Sequence, residues 1–149
     1  MSETATTTTT TTPATPEFSG TEALATGTLA ERGDGVIVLA IPGTDYRLRL
    51  TIHEPFESGI GARVRGRIRV TARRMDVIPA GGRYIEPNEG PPRRVQGRIQ
   101  AIDEVNDELL VHAGAPILVR PDTRQRASDF AVGRMVAFDV LPGAAFEPA

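Results

Sequence analysis

Arg63-Val64-Arg65-Gly66-Arg67-Ile68-Arg69-Val70-Thr71-Ala72 decides the fold class. Arginine occupies every odd position from 63 to 69, and an apolar residue or glycine every even one up to 72. Successive side chains of an extended strand point to opposite faces. A period of two therefore puts Val64, Gly66, Ile68, Val70 and Ala72 toward a core and the guanidiniums toward solvent. The alternation holds to Ala72, and apolar residues then resume at Met75 and Val77 with opposite parity. Such a slip requires a bulge or corner near Arg73-Arg74, of the kind a strand makes when it bends around a small barrel.

The flanking sequence repeats the pattern. Tyr46, Leu48, Leu50 and Ile52 alternate with Arg47, Arg49, Thr51 and His53, and Val95, Gly97, Ile99 and Ala101 alternate with polar residues. Val36 to Ile41, Leu109-Leu110-Val111 and Ile117-Leu118-Val119 are short apolar runs, too short for good helices. Turn signals recur about every 8–12 residues, the spacing of an all-β sandwich or barrel. No stretch combines helical periodicity with helix caps. The predicted fold class is all-β.

An internal duplication sets the expected organisation. Thr26-Gly27-Thr28-Leu29 answers Gln96-Gly97-Arg98-Ile99, and Phe56 to Val64 answers Phe130 to Val136 with two residues fewer in the second copy. Met75-Asp76-Val77-Ile78-Pro79 resembles Phe138-Asp139-Val140-Leu141-Pro142, and Tyr84-Ile85-Glu86-Pro87 resembles Phe146-Glu147-Pro148. Residues 21–87 and 94–149 are therefore expected to be two small barrels in tandem, with Phe56 and Phe130 plugging them. Residues 88–93 form a stiff, proline-rich linker in which no regular structure is expected. Residues 1–20, rich in threonine and without apolar periodicity, are read as a disordered tail. From about Leu24 to Ala149 the pattern resembles the OB-type small barrels in tandem. The Phe-x-x-Gly-x-x-Val turn at Phe130 to Val136 is shared with SH3-like barrels.

Composition removes several function classes. There is no cysteine, which excludes disulfides, thiolate chemistry and Cys-ligated zinc, and two histidines cannot complete a three-histidine site. No apolar run approaches the roughly 20 residues that span a bilayer, and no membrane partner is expected. A secretory leader needs a basic and then an apolar stretch, and residues 1–20 contain neither, so a cytoplasmic protein is expected. Nucleophile, phosphate-loop and zinc-protease motifs are absent. His53 and His112 have no partner at motif spacing and read as capping or half-exposed strand residues. Asp103, Glu104, Asp107 and Glu108 surround a hairpin turn, without the alternate ligands and glycine of a calcium loop. Arg69 and Arg73 have the spacing of one PilZ element, but Ile78 stands where the second element requires serine. No enzyme activity, cofactor or metal is expected.

Charge distribution leaves one candidate surface. All 17 basic residues are arginine, which suits bidentate anion recognition but is also the signature of a GC-rich coding sequence; the second explanation is preferred. Between Arg63 and Arg98 ten arginines face three acids, whereas from Ile99 onward four arginines face eight acids. Arg63, Arg65, Arg67, Arg69, Arg73 and Arg74 form the candidate anion- or partner-binding face. The leading expectation is a non-catalytic protein acting in protein interaction or self-association. The alternative is single-stranded nucleic acid held along the arginine stripe.

Overall fold

The computed structural model describes residues 21–54 and 57–149. The tail 1–20, expected to be disordered, and Phe56, expected to plug a barrel, lie outside the described residues. Arg63–Ile78 is a single 16-residue strand, β4. Its even positions from 64 to 72 are buried, and its odd positions are exposed or half-buried, as the alternation requires. The parity slip is a bulge. Across the ladder Phe138 faces Met75 and Val140 faces Ala72, so two steps on one strand answer three on the other. Gln125 satisfies the backbone at this point: its Oε1 accepts the Met75 N–H and its Nε2 donates to the Met75 carbonyl, each at 2.9 Å.

The bulge does not fold β4 back around one barrel. No glycine or proline lies between Arg67 and Ile78 to make a hairpin, so the strand runs on. Before it come β1 (Ala25–Gly33), β2 (Val36–Ala40) and β3 (Arg47–Thr51). After it come β5 (Tyr84–Glu86), β6 (Glu89–Gly90), β7 (Arg94–Asp103), β8 (Glu108–His112), β9 (Pro116–Arg120), β10 (Met135–Val140) and β11 (Ala145–Pro148). These strands make one mixed sheet of 11 strands, and its hydrogen bonds close two circuits. The first ring runs β1-β2-β3-β11-β4 and back to β1; the second runs β7-β8-β9-β4-β10 and back to β7. Every pairing within the rings is antiparallel except β3 with β11 and β9 with β4.

Each ring therefore takes one strand from the other side of the linker. The first half of β4 belongs to the first ring and its second half to the second ring. On the opposite strand, β10 and β11 follow one another along β4, with Met135 facing Ile78 at one end and Pro148 facing Gly66 at the other. The sequence reading has each copy close on itself; the structure instead closes each ring with a strand from the other side of the linker. The physical reason is the missing turn in β4. A strand that cannot reverse must spend its second half on a neighbouring barrel.

Two of the four sequence matches recur in the backbone. Val64 faces Gly27 and Val136 faces Gly97. Each first strand bulges just after, past Leu29 and past Ile99. The Leu29 N–H donates to the Ala62 carbonyl at 2.9 Å and its own carbonyl accepts from Gly61 at 2.8 Å; Ile99 repeats this with Arg134 at 2.9 Å and Gly133 at 2.8 Å. Gly61 and Gly133 share a left-handed backbone, φ 91° and 94°, which a side chain would resist. The other two matches are coincidences of sequence. Met75 and Phe138 are cross-strand partners, and the structural counterpart of Phe138 is Gly66. Tyr84 lies in β5 beside β7, whereas Phe146 lies in β11 beside β4.

One apolar cluster runs through both rings, from Leu29, Ile37 and Phe146 to Val111, Val136 and Phe138, and half-buried Phe130 packs against it. Outside the second ring, Ala23 of a short 3-10 turn covers Leu110 and Leu118. The linker is not wholly irregular. Glu89 and Gly90 pair in parallel with β3, and the Arg47 N–H donates to the Asn88 carbonyl at 2.7 Å. Tyr46 ties the two rings together: its buried hydroxyl accepts from the Ile85 N–H at 2.9 Å and donates to the Ala113 carbonyl at 3.4 Å. No helix of the described residues is long and apolar enough to cross a membrane.

Candidate functional site

Alternate residues of a strand are about 6.6–6.8 Å apart on one face. The odd-numbered arginines of β4 thus make a row along the outside of the first ring, but their surroundings divide the row in three. At its start, Arg63 and Arg65 are exposed opposite Thr28 and Thr26 of β1. Neither forms an ion pair among the described residues. They border a cleft of about 450 Å³ whose other walls include half-buried Leu24 and Pro148.

In the middle the row meets carboxylates. Arg67 faces Glu147 of β11 across the ladder. Arg69 bonds the nearly buried Glu108 of β8 and also reaches Glu147 at 3.3 Å. Burial alone would lower the pKa of Arg69, but Glu108 and then Glu147 outweigh it, and the pKa is raised above the ordinary arginine value. Arg69 is therefore a fixed cation, and its first duty is to neutralise Glu108, whose side chain is only 10% exposed. Past the bulge, Arg73 is exposed and borders a second cleft with Arg93 and Pro91, while Arg74 pairs with Asp76 at 3.2 Å.

The basic and acidic segments of the chain meet within the molecule at ion pairs that include Arg69 with Glu108, Arg69 with Glu147, and Arg94 with Asp139. No local pattern reveals Glu108 and Glu147 as partners of Arg69, because only the strand exchange brings β11 and β8 to β4. Arg63 and Arg65 stay outside these contacts. Of the six arginines singled out from sequence, the structure leaves Arg63, Arg65 and Arg73 as exposed cations without an ion pair among the described residues.

Asp103 and Asp107 serve the turn that carries them. Asp103 Oδ1 accepts from the N–H groups of Val105 and Asn106, each at 3.1 Å, which closes the β7–β8 turn. Asp107, at φ 57°, accepts the Ala127 N–H at 2.6 Å and so ties that turn to the segment before β10. The two histidines stand on different rings, His53 just past β3 and His112 in β8. His112 Nδ1 is buried without a hydrogen-bond partner; burial, and then the charge of Arg83, hold its pKa below the usual value. Among the described residues no three His, Asp or Glu side chains stand close enough together to hold a metal ion. No family model, curated protein or solved structure matches the chain.

Proposed function

We propose that this is a non-catalytic cytoplasmic binding protein that engages an acidic protein partner through the Arg63–Arg65 end of β4. Its two rings are read as tandem OB-type barrels with exchanged fifth strands. Each has the strand order 1-2-3-5-4 with a parallel 3–5 pairing, once β11 and the second half of β4 are counted as the exchanged strands. Closed rings present no free edge, which disfavours a partner that binds by strand addition. Among the described residues the large exposed apolar side chains, Ile60, Val77, Val105 and Val132, stand on separate segments. Charge is what remains for recognition.

The observation that carries the choice of partner is Glu147. Single-stranded nucleic acid is the second reading, favoured by a spacing of about 6.6–6.8 Å that suits a phosphate backbone. Such a backbone laid along the row would meet the half-exposed Glu147 carboxylate opposite Arg67. A short acidic protein segment can stop at Arg65, before that carboxylate; a strand of phosphates that follows the whole row cannot. Fluorescence anisotropy of labelled poly-L-glutamate and of an oligothymidine, with the whole chain, separates the two. Poly-L-glutamate is expected to bind at low salt and to be released by Arg63→Glu with Arg65→Glu. Tighter binding of the oligonucleotide, with log affinity falling against log salt at a slope of roughly −3, overturns the choice.

A further inference from the structure

Resting on that reading, we infer that the partner is a second copy of this chain, whose acidic β7–β8 turn docks in the Arg63–Arg65 cleft. The turn carries Asp103, Glu104 and Asp107, none in an ion pair among the described residues. The hydrogen bonds that Asp103 and Asp107 accept come from neutral backbone and amide groups. At the apex stands Val105, 81% exposed and the most exposed large apolar side chain described. An apolar apex ringed by carboxylates complements a cleft with Leu24 and Pro148 in its walls and two unpaired guanidiniums on its border.

The same molecule cannot make this contact with itself. The turn is anchored at the middle of the row, where Glu108 holds Arg69 and Asn106 lines a cleft with Arg69 and Thr71. From Arg69 to Arg65 is four residues of strand, about 13 Å. Arg69 shares its strand parity with Arg63 and Arg65, so turn and cleft both border the one arginine row. Two copies related by a two-fold axis can then place each turn in the other's cleft, forming both contacts in one closed dimer. Rim charges of this kind act mainly through association rate and salt sensitivity, so the dimer should weaken as salt is added.

Size-exclusion chromatography with light scattering on the whole chain tests this, read across concentration at low and high salt. A dimer is expected at low salt that dissociates at high salt. Arg63→Glu with Arg65→Glu, and separately Glu104→Arg, are each expected to lose it. Each alteration is on an exposed side chain, and unchanged thermal melting checks that the variants fold. Mixing the two variants in equal amounts restores one native contact per pair, the acidic turn of one copy against the intact cleft of the other. Asp103 and Asp107 of the Glu104→Arg copy still face the reversed cleft, so the mixture should recover the dimer in part. A chain that is monomeric under all conditions, or a dimer that neither variant disturbs, overturns the inference. A monomer that still binds poly-L-glutamate through Arg63 and Arg65 does so too, yet leaves the proposed function standing.

Discussion

Arg63, Arg65 and Arg67 occupy in the first ring the places that Met135, Ala137 and Asp139 occupy in the second, since Val64 and Val136 both face the paired glycines of the first strands. The backbones correspond, but the outer faces do not. In the first ring this row holds two exposed guanidiniums; in the second, Met135 and Ala137 are 5% and 3% exposed. The two rings share a bulge and a glycine turn without sharing a surface. The comparison sets an exposed basic row in the first ring against a packed face in the second, and altering one side chain at a time can break or sharpen it.

The largest effect is expected from the exchanged strands themselves. Phe146, 1% exposed, brings its ring from β11 into the first barrel against Gly66, where a Cβ would lie 2.5 Å from the phenyl edge. Phe138 is equally buried at the second barrel. Phe→Ala at either position should cost about 3–5 kcal/mol. Because one cluster spans both rings, each change should lower a single cooperative unfolding transition in calorimetry. Two separate transitions, with Phe146→Ala moving only one, would show that the rings are independent and that the shared β4 does not couple them.

Next comes the middle of the arginine row. Arg69→Ala leaves Glu108 nearly buried without its cation, and a loss of about 3 kcal/mol is expected by denaturant unfolding. Arg65→Ala, two residues earlier on the same face, should change stability by less than about 0.5 kcal/mol. Equal costs at the two positions would erase the distinction between a structural and a recognition segment. Tyr46→Phe should fall between them, at about 1–3 kcal/mol, because it leaves the Ile85 N–H buried with no acceptor.

Much of this was legible in the sequence, and the reasons are local. The period of two around Arg63 to Ala72 follows from the geometry of a half-buried strand, and the parity change at Arg73-Arg74 locates the bulge. The Gly-x-x turns at Gly61 and Gly133 reveal the repeat because they need a rare backbone conformation. Strand exchange left no such mark. The same alternation serves whether β4 closes its own ring or the next, and only the absence of a turn residue between Arg67 and Ile78 hinted at the outcome. The matches at Met75 and Tyr84 misled because similar strings occurred at structurally different positions. The division of the arginine row was hidden for a related reason: Glu108 and Glu147 are 39 and 78 residues from Arg69 in the chain.

The smallest expected effect distinguishes the rings by pH. His112 faces Arg98 in the second ring as Ala40 faces Thr28 in the first, so one copy carries a titratable group where the other has a methyl. The folded pKa of His112 is lowered, first by burial and then by Arg83. The unfolded chain therefore binds the proton more readily than the folded one. Stability contributed by the neutral imidazole is present above the unfolded value, about 6.5, and is lost as pH falls through the lower folded value. Acidification from pH 7 should lower the urea midpoint, and His112→Ala, which makes the second ring match the first, should flatten that dependence between pH 7 and the onset of carboxylate titration. If the variant follows the same pH curve as the parent, the orphaned Nδ1 carries no linkage and the slope must come from the carboxylates around β4 instead.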